Sequence, residues 1–249
     1  MKVCLSKLAS GSALILAISC LNLCAASAQG LATSSATFSQ VAEPTLSVPP
    51  SSVIKVAFVL SDGTTLIDVA GPMQTFLQVN TSGGRFETFT VSATRSPADA
   101  HGLTVVPDYT FETAPDPDIV VLAAQSLGAK QGDVSGAQPY LDYVKRMAAS
   151  GKLLLSVCTG ASILAKAGLL DGAYATTHHD YVEPLKEKYP KTRWLKDKAY
   201  VHSSTRVYTA GGETSGFDLA LHIVELYFGH RTAVETARSM EYRGPIWQS

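Results

Sequence analysis

Lys152-Leu153-Leu154-Leu155-Ser156-Val157-Cys158-Thr159-Gly160-Ala161-Ser162 is the stretch that decides the fold. Leu153 to Val157 is a continuous apolar run of the kind that forms a strand buried on both faces. The residues after it open a helix from Thr159 to about Leu169, stopped at Leu170-Asp171-Gly172. Cys158 therefore stands at a sharp strand-to-helix corner, a nucleophile elbow. A thiol at a helix N-terminus faces unpaired backbone N–H groups, so its pKa is expected below the free value of roughly 8.5. Gly160 lets another backbone or a ligand come close. The competing reading makes Cys158 a small core hydrophobe.

Outward from the elbow, strands and helices alternate. Val53 to Leu60 reads as a buried strand, followed by the loop Ser61-Asp62-Gly63-Thr64 and a helix over Asp68 to Val79. Further strands are expected at Phe86–Ala93, Leu103–Pro107, Ile119–Ala123 and Val207–Ala210. Helices are expected at Pro139–Ser150, Ser215–Phe228 after the Gly211-Gly212 turn, and Thr232–Tyr242. This order predicts an α/β domain, a flavodoxin-like three-layer sandwich with a mostly parallel sheet. Ligands of such sheets sit beyond the carboxyl ends of the strands, where the Ser61 loop, Ala124-Gln125-Ser126-Leu127-Gly128 and Cys158 should converge.

The 249 residues suit one large domain, and 46% hydrophobic against 16% charged residues can bury a real core. Twenty basic residues face 21 acidic ones with no basic block, which excludes a nucleic-acid surface. Lys2 and Lys7, the apolar stretch begun by Ala13 to Ile18, and Ala26-Ser27-Ala28 read as an export signal over residues 1–28, cleaved before Gln29. A periplasmic or secreted location follows. A lipid anchor at Cys20 or Cys24 is the minority alternative, and no other membrane association is expected. Residues 29–52, rich in Ser, Thr, Ala and Pro, read as a flexible linker to a domain over 53–249. Cys4, Cys20 and Cys24 fall in the signal, leaving Cys158 alone in the mature chain, without an internal disulfide.

Five segments carry a resemblance to a known family. Ser156-Val157-Cys158-Thr159-Gly160-Ala161, Ala167-Gly168-Leu169-Leu170-Asp171-Gly172 and Ala175-Thr176-Thr177-His178 resemble the ThiJ/PfpI superfamily of class I glutamine-amidotransferase-like domains. Leu66-Ile67-Asp68-Val69-Ala70-Gly71-Pro72 and Thr209-Ala210-Gly211-Gly212-Glu213-Thr214-Ser215-Gly216-Phe217-Asp218 resemble the branch containing isonitrile hydratase and the ligand-sensing halves of AraC-type regulators. The resemblance implies a homodimer with a nucleophilic cysteine beside an acidic residue of the first βα loop, and a small-molecule substrate without a cofactor. The implied catalytic set is Asp68, Cys158 and Thr159. The implied reaction is the lyase chemistry of hydrating an isocyanide to an N-substituted formamide through a cysteine thioimidate. Taken from the residues alone, Asp68 reads as a helix N-cap, and the resemblance reverses that reading. The peptidase-like branch has His directly after the cysteine, and Thr159 departs from it.

Ala124-Gln125 stands where the family has two glycines whose backbone N–H groups form an oxyanion hole, and Gln125 brings a bulky amide to the pocket. His178 lines the same pocket, as a base or as a structural histidine. No metal site is expected, because the adjacent His178 and His179 would point to opposite faces of a strand. Asp218 and His222 read as structural residues of the Ser215 helix. Alternatives to the hydratase are a non-catalytic small-molecule-binding domain and a cysteine amidohydrolase or deglycase. A transcription regulator is not expected, since little sequence follows Pro245 to form a helix-turn-helix.

Overall fold

The computed structural model describes residues 41–49, 53–79, 85–126 and 136–247. Contacts divide the chain into 1–37 and Phe38–Ser249, and every described residue belongs to the second unit. The export signal and most of the expected linker lie outside the described residues. The strands are β1 (Ile54–Val59), β2 (Phe86–Ser92), β3 (Ala98–Ala100), β4 (Leu103–Val105), β5 (Tyr109–Thr110), β6 (Ile119–Leu122), β7 (Leu153–Ser156), β8 (Tyr174–Ala175), β9 (Arg193–Trp194), β10 (Tyr200–Ser204) and β11 (Val207–Ala210). The helices are α1 (Leu66–Val79), α2 (Gln138–Ala149), α3 (Ala161–Lys166), α4 (Val182–Lys188), α5 (Ser215–Phe228) and α6 (His230–Ser239).

Seven strands form one sheet in the order β10-β11-β7-β6-β1-β2-β5. All pairs are parallel except β10 with β11. Alternate residues of the central strands feed two cores, as the two-residue period of a strand requires. Ile54, Val56 and Phe58 face α1, α5 and α6, packing with Phe76, Leu221 and Ala233. Ala57, Val59 and Leu154 face α2, α3 and α4, packing with Val144, Ile163 and Leu185. The expected three-layer sandwich is present. Among the described residues no helix is long and apolar enough to cross a membrane.

The helix expected from Thr159 to Leu169 is shorter and begins differently. Cys158–Gly160 is a 3-10 turn, and α3 ends at Lys166. Gly168 adopts φ +80, the Gly168 N–H donates to the Ala165 carbonyl and the Leu169 N–H to the Leu164 carbonyl. This is a Schellman stop, placed by the one residue type that takes a left-handed conformation without strain. The last helix starts at His230, two residues before the expected Thr232, and ends at Ser239.

Glu43 ties residues 41–49 to the β10 side of the sheet. Its carboxylate accepts the Tyr208 hydroxyl and lies 3.4 Å from His222 Nε2 and 3.7 Å from His202 Nδ1. His222 and His230 in turn share Glu225, at 3.2 and 2.8 Å. The Tyr208 ring, fully buried, stacks on His202. A hydroxyl buried without its acceptor costs about 1–3 kcal/mol. Glu43→Ala should lower stability in urea unfolding by roughly that amount, and by clearly less in a Tyr208→Phe background.

Candidate functional site

The β7 strand delivers Cys158 to the centre of the sheet's carboxyl edge, between β6 and β11. The backbone there turns to φ +57, a left-handed conformation that costs a non-glycine residue roughly 1–2 kcal/mol. Its neighbours hold it in place. The Cys158 N–H donates to the Gly211 carbonyl, the Val157 N–H to the Leu122 carbonyl, and the Thr177 hydroxyl to the Cys158 carbonyl. A Cβ on Gly160 would overlap the Leu122 carbonyl oxygen, so the close approach expected at Gly160 is to backbone of β6. The elbow is thus wedged between its two neighbouring strands.

Asp68 is completely buried in the first turn of α1. The helix begins two residues earlier, and the carboxylate accepts the Ala124 N–H at 3.0 Å instead of capping its own helix. The cap reading is therefore corrected. The Cys158 thiol and the Glu213 N–H face the carboxyl and lower its pKa, while Asp68 Oδ1 has no hydrogen-bond partner among the described residues. Asp68 and Cys158 accordingly form a direct pair. Burial raises the Asp68 pKa to about 7, with the Glu213 charge adding to the rise and the Ala124 N–H opposing it. Asp68 can hold or release a proton near neutrality.

The thiol departs from the sequence expectation. Burial pushes Cys158 up to about 12, the Asp68 carboxylate pushes the same way, and N–H groups of Thr159 and Glu213 counter only part of it. A helix terminus contributes on the order of 0.3–1 kcal/mol, and α3 is only six residues long. Desolvation wins. The resting pair is a neutral thiol beside a carboxyl group that titrates near pH 7.

The remaining expected residues separate into roles. The Thr159 N–H faces the thiol and lowers its pKa, while the Thr159 hydroxyl is buried without a partner among the described residues. Ala124 spends its N–H on Asp68. Gln125 is buried and donates its amide to the Val59 carbonyl at 2.8 Å, which locks the side chain against β1. The Ser61 loop and Ala124-Gln125-Ser126 do converge, through Thr65 N–H to the Ala124 carbonyl and Ser126 N–H to the Asp62 carbonyl. Leu127 and Gly128 lie outside the described residues.

His178 lines a cavity of about 530 Å³ next to the elbow, together with Thr177, His179, Lys198, Gly212 and Glu213. Its ring lies so close to Gly212 that a Cβ there would overlap it. The two histidines do not diverge. Their rings stack at 4.3 Å, because His179 begins a 3-10 turn and is not part of a strand. Asp218 accepts the Trp247 indole N–H at 3.1 Å and so anchors the C-terminal segment.

Glu213 is the residue that sequence reasoning missed. At φ +45 its N–H reaches both Asp68 and Cys158, and its carboxylate raises both pKa values. The only signal was its place directly after Gly211-Gly212, a turn read as purely structural.

The DJ-1/PfpI family profile matches residues 54–226, which contain the whole arrangement. The chain belongs to the DJ-1/PfpI family. Among curated relatives, isonitrile hydratase of Pseudomonas putida is 34% identical over 141 residues, 57% of this chain and 59% of the relative. The HTH-type transcriptional regulator GbdR of Pseudomonas aeruginosa is 26% identical over 190 residues, 75% of this chain and 50% of the regulator. The chain thus spans half to three fifths of the length of these relatives. Solved structures agree on the DJ-1/PfpI fold. A ThiJ/PfpI family protein from Pseudomonas syringae matches with TM-score 0.66 and 24% identity, over 77% of each chain. An AraC family transcriptional regulator from Pseudomonas putida matches with TM-score 0.65 and 20% identity, over 75% of this chain and 99% of that one.

Two measurements check this DJ-1/PfpI site. A carboxyl whose folded pKa is raised binds more protons folded than unfolded, so its contribution to stability is full below about pH 4 and lost as pH rises towards 7. Asp68→Asn removes that loss. The variant should unfold later than wild type at pH 8, by roughly 2–4 kcal/mol, and the gap should shrink steadily towards pH 4. Alkylation of Cys158 at pH 8 should be far slower than for a free thiol and should accelerate in Asp68→Asn, which lacks the carboxylate charge that holds the thiol neutral.

Proposed function

We propose that this DJ-1/PfpI protein is a cysteine-dependent lyase of the isonitrile hydratase type, exported by its N-terminal signal. The observation that carries the reading is the buried Asp68 carboxyl set against the Cys158 thiol, with Asp68 titrating near pH 7. The relationship to the Pseudomonas putida isonitrile hydratase supports it.

An isocyanide presents a terminal carbon that accepts a nucleophile and then needs a proton. As Cys158 sulfur bonds to that carbon, the thiol proton passes to the Asp68 carboxylate, and Asp68 returns it to the same carbon. The product is a thioimidate with a carbon–nitrogen double bond. Asp68, again a carboxylate, takes a proton from water as the water oxygen adds to the carbon and passes that proton to the nitrogen, and on collapse it carries the hydroxyl proton to the departing sulfur. Collapse breaks the carbon–sulfur bond, gives the N-substituted formamide and restores the thiol. One isocyanide and one water are consumed, with no redox change. The N–H groups of Thr159 and Glu213 stabilise negative charge on sulfur while the proton is on Asp68.

A second reading is a small-molecule-binding domain without turnover. It is favoured by the strongly raised thiol pKa and by the kinship with the regulator GbdR. The two readings give opposite results with Cys158→Ala. Formamide formation from a panel of alkyl and aryl isocyanides, followed by chromatography, should fall at least about 10³-fold in Cys158→Ala and about 10²–10⁴-fold in Asp68→Asn. Wild-type protein that binds these compounds without turnover, and binds equally well as Cys158→Ala, would establish the binding domain instead.

A further inference from the structure

We propose that His178, His179 and Asp180 bind a divalent transition-metal ion of the zinc class at the wall of the cavity beside the elbow. One ligand atom from each residue lies within 4.8 Å of the other two. His179 Nε2 is 3.2 Å and His178 Nδ1 3.8 Å from the Asp180 carboxylate. Ligands of a tetrahedral zinc ion at roughly 2.0–2.1 Å stand roughly 3.3 Å apart, so a small side-chain rotation closes the set.

The hydrogen bonding at His178 fixes its tautomer. Its Nδ1 accepts the Asp180 N–H at 3.3 Å, which places a lone pair, and no proton, on that nitrogen. The same nitrogen faces Asp180 Oδ2, another lone-pair donor. A bound ion takes the place of that N–H on the lone pair and balances the carboxylate charge. Two imidazoles and one carboxylate are a donor set for zinc, nickel or copper, whereas magnesium and calcium require oxygen. The 3-10 turn gathers three consecutive residues on one side, and the stacked rings present both imidazoles to the same carboxylate.

Access is open, since the His179 and Asp180 side chains are 61% and 71% exposed. Three protein ligands leave a coordination position for water or for a substrate's lone pair. His178 and His179 also line the cavity that contains Glu213, so the ion would polarise a donor group bound there. The site does not depend on Cys158 chemistry and can fail or hold independently of the hydratase reading.

Cobalt(II) and zinc(II) titrations of the untagged, chelator-stripped full chain test the proposal. The expected result is one saturable equivalent, weakened at least about tenfold in His179→Ala and in Asp180→Asn. Affinity should be unchanged in Cys158→Ser, and the cobalt form should lack thiolate-to-cobalt charge-transfer absorption. Circular dichroism confirms that the two exposed variants fold. Three results overturn the proposal: no saturable binding below about 0.1 mM, equal affinity in both variants, or loss of binding in Cys158→Ser together with a charge-transfer band.

Discussion

The left-handed backbone at Cys158 exists only because three strands hold it there. The Leu122 carbonyl at the end of β6 takes the Val157 N–H, the Gly211 carbonyl after β11 takes the Cys158 N–H, and Gly160 lets the turn press onto β6. β7 lies between those two strands. The register of the central sheet therefore sets the direction of one side chain, and a strain of roughly 1–2 kcal/mol is held by packing on both faces. The same geometry brings β6's exit, Ala124, to the carboxylate of Asp68. Elbow, acid and strand edge are one construction.

That construction sets the electrostatics as well. A thiol placed at a helix start in solvent would gain from the backbone dipoles. Here the start is a 3-10 turn leading into a short helix, and the thiol is buried against an acid. Removing a charge from water costs several kilocalories per mole, far more than a terminal dipole returns. Both groups are consequently pushed towards their neutral forms, and a proton moving between them changes no net charge in the buried site. Such internal transfer is the chemistry this pair is suited to, in contrast to attack by a free thiolate.

Much of this was legible in the sequence, and what was not has a physical reason. Long apolar runs such as Leu153 to Val157 announce buried strands, and the Gly211-Gly212 turn announces the start of α5. β8, β9 and α4 were not anticipated, because two-residue strands and a seven-residue helix of mixed composition lack a readable period. β10 was hidden by His202, a polar residue in its middle that packs on Tyr208 and faces Glu43. In the site, Asp68 and Cys158 were visible as residue types at structural corners. The sign of the thiol shift was not, since burial is a property of the whole packed molecule. Glu213 was invisible because the turn that sets its N–H and its charge beside the pair has no sequence period of its own.

Glu213 also links the buried pair to the open cavity. Its N–H points at Asp68 and Cys158, while the residue lines the cavity with His178 and Lys198. A φ of +45 at a non-glycine residue is what allows one peptide unit to serve both sides. The Glu213 charge raises the pKa values of both members of the pair and its N–H lowers them. Glu213 is thus the residue through which the cavity borders the buried pair.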